Sequence, residues 1–330
     1  RILVVDNRAA PAERLRSLLA PRQLKQVISA LAGHFVLDNE TEISLEVNPA
    51  TLDEPGLQGF IEAGVNRFSL GVQSYHDDEL GMLGRAHNVR QVYETIELFH
   101  RQGCPNFNLD LIYGLPGQSI EKWMSSLKKA VDCGPRHLSL YLLQLADHTP
   151  MGREVACQKI VLPGEDTEWQ MYYQAINYLR EQGFEQYELS NFCRPGSYCR
   201  HNLLYWQAYE YLGFGAGAVS YTGGRRYSNI SQVELYTADL LAHGRCPQEE
   251  LESMQGLDIV RDAVILGLRL TGGIELAHFN KRFGIDLLKQ FHETISLCIN
   301  QGLLEIETGR LKLTNQAYFL SNQVFARFMA

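Results

Sequence analysis

The sequence predicts an α/β fold in which a parallel sheet curves into a partial (β/α) barrel, followed by a small α+β domain of winged-helix type. Apolar, partly β-branched segments alternate with helical segments up to about residue 225, and such alternation implies parallel strands joined by right-handed crossovers. Past Gln255 the alternation stops, and helical segments follow one another before a single hairpin. We therefore expect an atypical segment 1–20, the barrel 21–225, a connecting segment 226–254 and a C-terminal domain 255–330.

The expected elements of the barrel follow from hydrophobic periodicity and turn residues. Residues 1–20 contain RILVVDN, which has strand character, and AERLRSLLA, which has helical character. The expected helices are Pro21–Gly33, Glu54–Ala63, Val89–Gln102, Ile120–Cys133 and Asp166–Gln182. The expected strands are Ile43–Asn48, Arg67–Val72, Phe107–Ile112, HLSLYLLQ from His137 and FEQYELS from Phe184, with a further strand in 213–221. Gly64, Gly103 and Gly183 each stand just after a predicted helix, as glycine C-caps do.

The sequence predicts three helices and a hairpin in the C-terminal part. The segments LDIVRDAVILGLRL, IELAHFNKRFG and LLKQFHETISLCINQG have helical patterns. LLEIETGRLKLT has the pattern of a hairpin that turns at Thr308-Gly309. Modules of this kind often bind DNA. Acidic residues are mixed through this one, so we expect packing or partner docking instead.

Charge and cysteine usage exclude several classes of function. The formal net charge of −8 disfavours nucleic-acid binding, which needs a basic surface. No segment approaches the roughly 18 apolar residues of a membrane span and no secretory signal is visible, so we expect at most peripheral membrane contact. Seven cysteines are scattered without a CxxC pair, as in a reducing cytoplasm. Cys193, Cys199 and His201 match no standard zinc spacing, and we interpret them as packing residues.

Polar residues at the ends of three predicted strands form the first candidate site. Glu46, Gln73 and Asp110 stand where α/β sheets assemble ligand sites, and Arg85 follows in a nearby loop. Each has an ordinary alternative role, because Glu46 can cap a loop and Asp110 can pair with Arg85. Together they suit a ligand with a carboxylate, an ammonium group and ribose hydroxyls. The glycine-rich turns GLPGQ (114–118) and GFGAG (213–217) let backbone approach a ligand closely.

The segment HNLLYW is the second candidate site. His201, Tyr205 and Trp206 are compatible with ordinary packing. An imidazole can equally ligate iron, with the two aromatic rings as flat apolar surface against a porphyrin. The residues alone leave both interpretations open.

Several long segments resemble one family. EVNPATL (46–52), NRFSLGVQSYHDDELGMLGRAH (66–87), NLDLIYGLPGQS (108–119), HLSLYLL (137–143), YELSNF (187–192) and HNLLYW (201–206) are similar to the HemW-type haem chaperones. These are radical-SAM proteins related to oxygen-independent coproporphyrinogen III oxidase. The resemblance implies a partial radical-SAM barrel in which Glu46, Gln73, Arg85 and Asp110 contact S-adenosylmethionine. It also implies haem binding at HNLLYW, with His201 as the ligand of the haem iron and Tyr205 and Trp206 beside it.

The resemblance also implies motifs that these 330 residues do not contain. The family carries CxxxCxxC, whose thiolates hold a 4Fe-4S cluster, and a GGGTP-like strand end; neither occurs here. The familiar sequence begins at SLLAPRQL (17–24), residues 1–16 look unrelated, and the first residue is Arg1 rather than Met. We therefore expect an N-terminally incomplete copy, truncated or frame-disrupted, without the cluster. Dispersed cysteines do not replace three soft sulfur ligands at fixed spacing.

Three functional hypotheses result. The first is a cytoplasmic haem-trafficking protein that delivers haem to respiratory acceptor proteins and does not act as an enzyme. The second is an oxidoreductase of porphyrin biosynthesis that resembles coproporphyrinogen dehydrogenase, and the third is a non-catalytic remnant. Dimerisation and the second axial ligand of the haem stay open, with Cys199 a weak candidate for that ligand.

Overall fold

The computed structural model describes residues 19–146 and 149–329 and the backbone of residues 2–6. The chain forms two compact units, Arg1–His201 and Asn202–Ala330. The four domain limits expected from the sequence stay predictions. The helix expected at AERLRSLLA lies mostly outside the described residues.

The first unit is built on a seven-stranded sheet. Its strands are β1 Ile2–Asp6, β2 Glu42–Val47, β3 Arg67–Gln73, β4 Phe107–Tyr113, β5 His137–Leu142, β6 Glu185–Gln186 and β7 Asn191–Cys193, in the order β1-β2-β3-β4-β5-β7-β6. Its helices are α1 Pro21–Ala32, α2 Glu54–Glu62, α3 Asp77–Met82, α4 Val89–Arg101, α5 Ile120–Asp132, α6 Pro150–Ala156, α7 Glu165–Glu181 and α8 Arg200–Trp206, the last of which crosses the unit boundary. Strands β1 to β5 are parallel, which confirms the predicted strand at RILVVDN.

The predicted strand FEQYELS is wrong in extent and direction. It is replaced by the short strands β6 and β7, and β7 runs antiparallel to β5. The chain reverses between them because the Tyr187 amide donates to the Asn191 carbonyl. The Tyr172 hydroxyl holds the reversal by donating to the Leu189 carbonyl at 2.7 Å.

Helices cover the apolar face of the sheet. In α5 the buried side chains include Trp123 and Leu127, and the Trp123 indole donates to the Met171 carbonyl of α7 at 3.0 Å. Gly64, Gly103 and Gly183 have φ values of 106°, 65° and 77°, so the predicted glycine ends of helices are confirmed. These left-handed conformations carry little strain in glycine because it has no Cβ.

The second unit contains two small antiparallel sheets. The first consists of β8 Val219–Thr222, β9 Arg225–Asn229 and β10 Gln248–Ser253, in the order β10-β9-β8, with α9 Val233–His243 between its second and third strands. The strand expected in 213–221 is therefore placed wrongly. Only residues 219–221 of this segment are in a strand, and that strand belongs to this small sheet rather than to the barrel. Gly215 and Gly217 have φ values of 106° and 72°, which interrupts a strand there.

The C-terminal domain has the expected winged-helix character. It contains α10 Leu257–Gly267, α11 Leu276–Phe283, α12 Leu287–Gln290, α13 His292–Asn300, α14 Ser321–Met329 and a sheet of β11 Ile274–Glu275, β12 Leu304–Glu307 and β13 Arg310–Leu313. The helix expected over LLKQFHETISLCINQG is two helices, broken at Phe291, where φ is −115° and ψ is 32°. The hairpin turn is confirmed, because Thr308 and Gly309 have φ values of 48° and 76°. Within the described residues, no helix is long and apolar enough to cross a bilayer.

Candidate functional site

Strands β2 to β5 present a polar face as well as an apolar one. Successive side chains of a strand point to opposite faces, and alternate residues of these strands are polar. The residues of this polar face are Glu42, Ser44, Glu46, Arg67, Ser69, Asn108, Asp110, His137 and Ser139. The expectation that the strand interiors are apolar is therefore wrong, because polar side chains alternate with apolar ones over most of β2 and over the first part of β3, β4 and β5.

Five residues of the polar face form one hydrogen-bonded network, in which Ser139 Oγ donates to the Asn108 carbonyl oxygen at 3.2 Å. The Asn108 amide nitrogen donates to Ser69 Oγ and to Asp110 Oδ1, both at 2.7 Å. Ser69 Oγ donates to Asp110 Oδ2 at 3.2 Å. The Asn108 carbonyl oxygen accepts from His137 Nδ1 at 2.6 Å, and His137 Nε2 lies 2.8 Å from the Tyr187 hydroxyl. Both oxygens of Asp110 are thus held by donors from β3 and β4.

The network fixes the protonation of His137. Since the Asn108 amide nitrogen is committed to Ser69 and Asp110, its carbonyl accepts, and His137 Nδ1 must donate. The other ring nitrogen then accepts from Tyr187. Burial lowers the pKa of His137 well below its usual value, and the nearby Arg67 lowers it further. His137 is therefore a neutral, oriented group at the base of the site.

The structure brings two of the predicted S-adenosylmethionine contacts close together. Glu46 pairs in register with Ser69, which is bonded to Asp110. Burial raises the pKa of the Tyr141 hydroxyl, and the carboxylates of Asp110, Glu188 and Glu46 raise it further. Both predicted carboxylates therefore lie near one hydroxyl group.

Gln73 lies in a second cluster at the end of β3. It is buried, its φ is 68° and the pairing of β3 with β4 is irregular between Leu70 and Gln73. The buried Asn48 Oδ1 has no hydrogen-bond partner among the described residues. A Cβ on Gly71 would stand 2.9 Å from Gln73 Nε2 and 3.2 Å from Asn48 Oδ1. A side chain at position 71 would therefore have to displace the ends of the Gln73 and Asn48 side chains.

Arg85 lies on the loop after α3. Its amide donates to the Leu80 carbonyl at 2.9 Å, and its side chain is partly exposed. Its charge contributes to a lowered pKa of His87, whose main cause is burial. The assignment of Arg85 to a ligand carboxylate stays a prediction, as do the other assignments of site residues.

His201 and Tyr205 lie one turn apart on α8, and Trp206 ends that helix. All three side chains are partly exposed. Burial lowers the pKa of His201 to about 4, and Arg67 lowers it further, although Glu42 opposes the shift. The imidazole is therefore uncharged near neutral pH, with a basic nitrogen able to ligate a metal.

Aromatic and cationic groups surround the end of α8. The rings of Tyr205 and Tyr211 meet edge to face, with centroids 4.5 Å apart. The Arg269 guanidinium lies 4.3 Å from the centre of the Trp206 ring. This end of the helix thus combines flat apolar rings with a positive charge.

The interpretation of the trio Cys193, Cys199 and His201 as packing residues stays a prediction. Both thiols are buried, and Cys199 Sγ donates to Glu42 Oε1 at 3.7 Å. In the described part of the chain no group of three or more His, Cys, Asp or Glu residues is placed to hold a metal ion.

The cysteines should differ sharply in reactivity. We expect iodoacetamide at about pH 8 to modify the exposed Cys157 and Cys246 quickly, and Cys193 and Cys199 only after unfolding. Burial and the nearby Glu185 raise the pKa of Cys193 to about 12, so its thiolate is scarce. Mass spectrometry of timed digests measures the order. Rapid labelling of Cys193 and Cys199 in the folded chain would contradict this arrangement.

Sequence reasoning missed Glu42, Ser69, Asn108 and His137. A signal was present, because EISLEV and FNLDLIY alternate polar and apolar residues with a period of two. Such alternation marks a strand with two different faces. The partners within the network come from strands far apart in sequence and have no local signature.

Comparison with known proteins identifies the family. Residues 11–130 match the Radical SAM superfamily and residues 254–320 match the HemN C-terminal domain. The chain is 34% identical to Heme chaperone HemW of Lactococcus lactis subsp. lactis (strain IL1403), over 95% of this chain and 82% of that protein. The chain belongs to the HemW family. This HemW-family chain is also 32% identical to Heme chaperone HemW of Bacillus subtilis (strain 168). The alignment covers 94% of this chain and 82% of the Bacillus subtilis protein.

A solved structure supports the fold. Coproporphyrinogen III oxidase (HemN) from Escherichia coli, a radical SAM enzyme, aligns with a TM-score of 0.76 and 21% identity, over 94% of this chain and 74% of that one. At this identity the likeness shows the fold alone. The resemblance to HemW-type proteins and the α/β radical-SAM fold are thus confirmed, and the oxidase alternative is not favoured by the HemW relatives.

Proposed function

We propose that this HemW-family chain is a cytoplasmic haem chaperone, which binds haem at α8 and S-adenosylmethionine at the polar face and delivers haem to respiratory acceptor proteins. The relatives from Lactococcus lactis and Bacillus subtilis carry the name heme chaperone. The observation that carries the proposal is the imidazole of His201, which is partly exposed, uncharged near neutral pH and one helical turn from Tyr205.

The chemistry of α8 suits haem as a cargo. A neutral imidazole ligates haem iron without first losing a proton. The rings of Tyr205 and Trp206 offer apolar area to the porphyrin plane. Arg269, next to Trp206, would pair with the carboxylate side chains of haem.

The polar face suits S-adenosylmethionine. Asp110, with both oxygens held, and Glu46 would accept hydrogen bonds from ribose hydroxyls or from the ammonium group. Gln73 and the buried Asn48 Oδ1 would bind further polar atoms, and Arg85 would pair with the carboxylate. The bound molecule supplies a reductively cleavable sulfonium group.

The residues present do not fit an iron–sulfur cluster. Such a cluster needs thiolates brought together at one point. The seven cysteines are free and dispersed, and the described residues offer no set of three metal-ligating side chains. We therefore propose no radical step for these residues.

Replacing His201 by alanine tests the haem site. We expect His201→Ala to weaken haemin binding about tenfold or more and to shift the Soret band, because the iron loses its imidazole ligand. Absorbance titration of the whole chain with haemin measures both. His278→Ala removes an exposed histidine of α11 and should change neither. An unchanged spectrum and affinity in His201→Ala would overturn the proposed function.

A further inference from the structure

The helix that carries His201 is held at both ends by charged side chains from outside it. Helix α8 has seven residues, and none of them is buried. Isolated helices of this length are unstable in water. Contacts at its ends therefore add to those of Tyr205 and Trp206 in fixing its position, and two charged side chains supply them.

Glu42 holds the N-terminal end. Its Oε2 accepts from the Arg200 amide at 3.0 Å, and its Oε1 accepts from the His201 amide at 3.4 Å. The same carboxylate accepts from Cys199 Sγ at 3.7 Å and from Ser44 Oγ at 3.3 Å. Glu42 is almost fully buried and lies at the start of β2. A carboxylate at this place satisfies amides that the helix leaves open and complements its dipole.

The residue just before α8 is not of a type that caps a helix well. Cys199 stands where helices usually have Ser, Thr, Asp or Asn, whose oxygens cap the first amides. A thiol is a weak hydrogen-bonding group. The cap is therefore supplied by Glu42, which lies 159 residues before His201 in the sequence.

Arg282 holds the C-terminal end. Its guanidinium donates to the Gln207 carbonyl at 2.6 Å and to the Ala208 carbonyl at 2.5 Å. The helix ends with the Ala208 amide bonded to the Tyr205 carbonyl and the Tyr209 amide bonded to the Leu204 carbonyl, the pattern of a Schellman motif. Ala208 has a φ of 54°, a conformation that costs an alanine about 1 kcal/mol more than a glycine.

We propose that Glu42 and Arg282 are positioning residues for haem, which fix the two ends of α8 and thereby the orientation of the His201 imidazole. The inference rests on the proposed haem site. Neither side chain needs to touch haem. Each acts through the backbone next to the iron ligand.

The first test is Glu42→Gln in the whole chain, with haemin as the probe. The amide keeps the size of the side chain but loses the charge, so we expect haemin binding about tenfold weaker and a shifted Soret band. Hydrogen exchange of the amides of residues 200–203 should accelerate, while exchange in β3 and β4 stays unchanged. Glu62→Gln, on the exposed face of α2, is the matched control. It should alter neither the binding of haemin nor the hydrogen exchange of residues 200–203.

Rescue variants separate positioning from general destabilisation. Cys199→Ser supplies a local cap and should restore part of the haemin affinity in the Glu42→Gln background. At the C-terminal end of α8, Arg282→Gln should weaken haemin binding. Ala208→Gly in that background should restore the binding by removing the backbone strain. Lys281→Gln, which removes the same charge from a neighbouring residue, is the control. A merely global loss of stability would not be repaired by these local changes.

The outcomes distinguish this inference from the proposed function. Haemin binding that is unchanged in His201→Ala overturns the proposed function. Binding that depends on His201 but is unchanged in Glu42→Gln and Arg282→Gln overturns only the positioning role. Unchanged hydrogen exchange at residues 200–203 in Glu42→Gln also overturns it, whether or not haemin is present.

Discussion

Lowering the pH from about 7 to about 5 is expected to reduce the free energy of unfolding markedly, because buried histidines must stay neutral in the fold. Burial lowers the pKa of His137 well below its usual value, and Arg67 lowers it further. Burial lowers the pKa of His201 to about 4, with Glu42 opposing and Arg67 adding to the shift. Both imidazoles therefore resist protonation in the folded state.

The sign of the effect follows from proton binding. Below about pH 6.5 the unfolded chain binds protons at these histidines that the folded chain does not bind. Unfolding then becomes more favourable by about 1.4 kcal/mol per pH unit for each histidine, until the folded pKa is reached. For His201 the loss at about pH 5 is at most about 2 kcal/mol, since its side chain is only partly buried. His87, whose pKa burial also lowers, acts in the same direction.

Urea unfolding at several pH values between about 5 and 7 measures the dependence. Carboxylates titrate mostly below this range, so the slope reports histidines. The slope of the unfolding free energy against pH gives the number of protons taken up on unfolding. We expect His137→Gln and His201→Gln each to lower that number by up to about one. Their effects on stability at neutral pH should differ. A wild-type stability that does not change over this range would contradict the buried, neutral state of both imidazoles.

The parts of the fold predicted correctly from the sequence have local causes. Strands β2 and β4 and helices α2 and α5 lie within about two residues of their expected limits, because periodicity and turn residues mark each of them. The hairpin at Thr308-Gly309 is set by its own turn residues. No comparable local signal distinguishes a parallel from an antiparallel last strand, so the return of β7 along β5 was not predicted.

The candidate site could be predicted only in part from the sequence, because many of its contacts have no local signal. Glu46 and Asp110 were identified as polar residues at strand ends; Glu46 is next to last in β2, but Asp110 lies in the middle of β4. Asn108 and His137 lie inside strands that were interpreted as apolar, although their alternation was visible. The capping of α8 by Glu42 joins residues far apart in the chain, and only the folded structure brings them together.

Replacing Asn108 by leucine is expected to lower the free energy of unfolding by about 3 kcal/mol or more. The change keeps the volume but removes the group that bonds Ser69, Asp110 and His137. Ser69 and His137 then stay buried with a lost hydrogen bond, and the partly buried Asp110 loses one donor. We also expect weaker binding of S-adenosylmethionine in calorimetric titration, because Asp110 loses its donor from β4. Asn106→Leu, which removes an exposed hydrogen bond to the Asn66 carbonyl, should cost less than about 1 kcal/mol.

A double-mutant cycle decides whether the network acts as one unit. After Asn108→Leu, the His137 Nδ1 donor has already lost its acceptor, so His137→Leu should cost less in that background than in the wild type. We expect a coupling of about 1 to 3 kcal/mol in urea unfolding at neutral pH. Additive effects would mean that Asn108 and His137 stabilise the sheet separately, and the orientation of Asp110 would then not depend on the buried histidine. A measured coupling instead implies that a residue deep in the sheet orients the carboxylate proposed to bind the ligand.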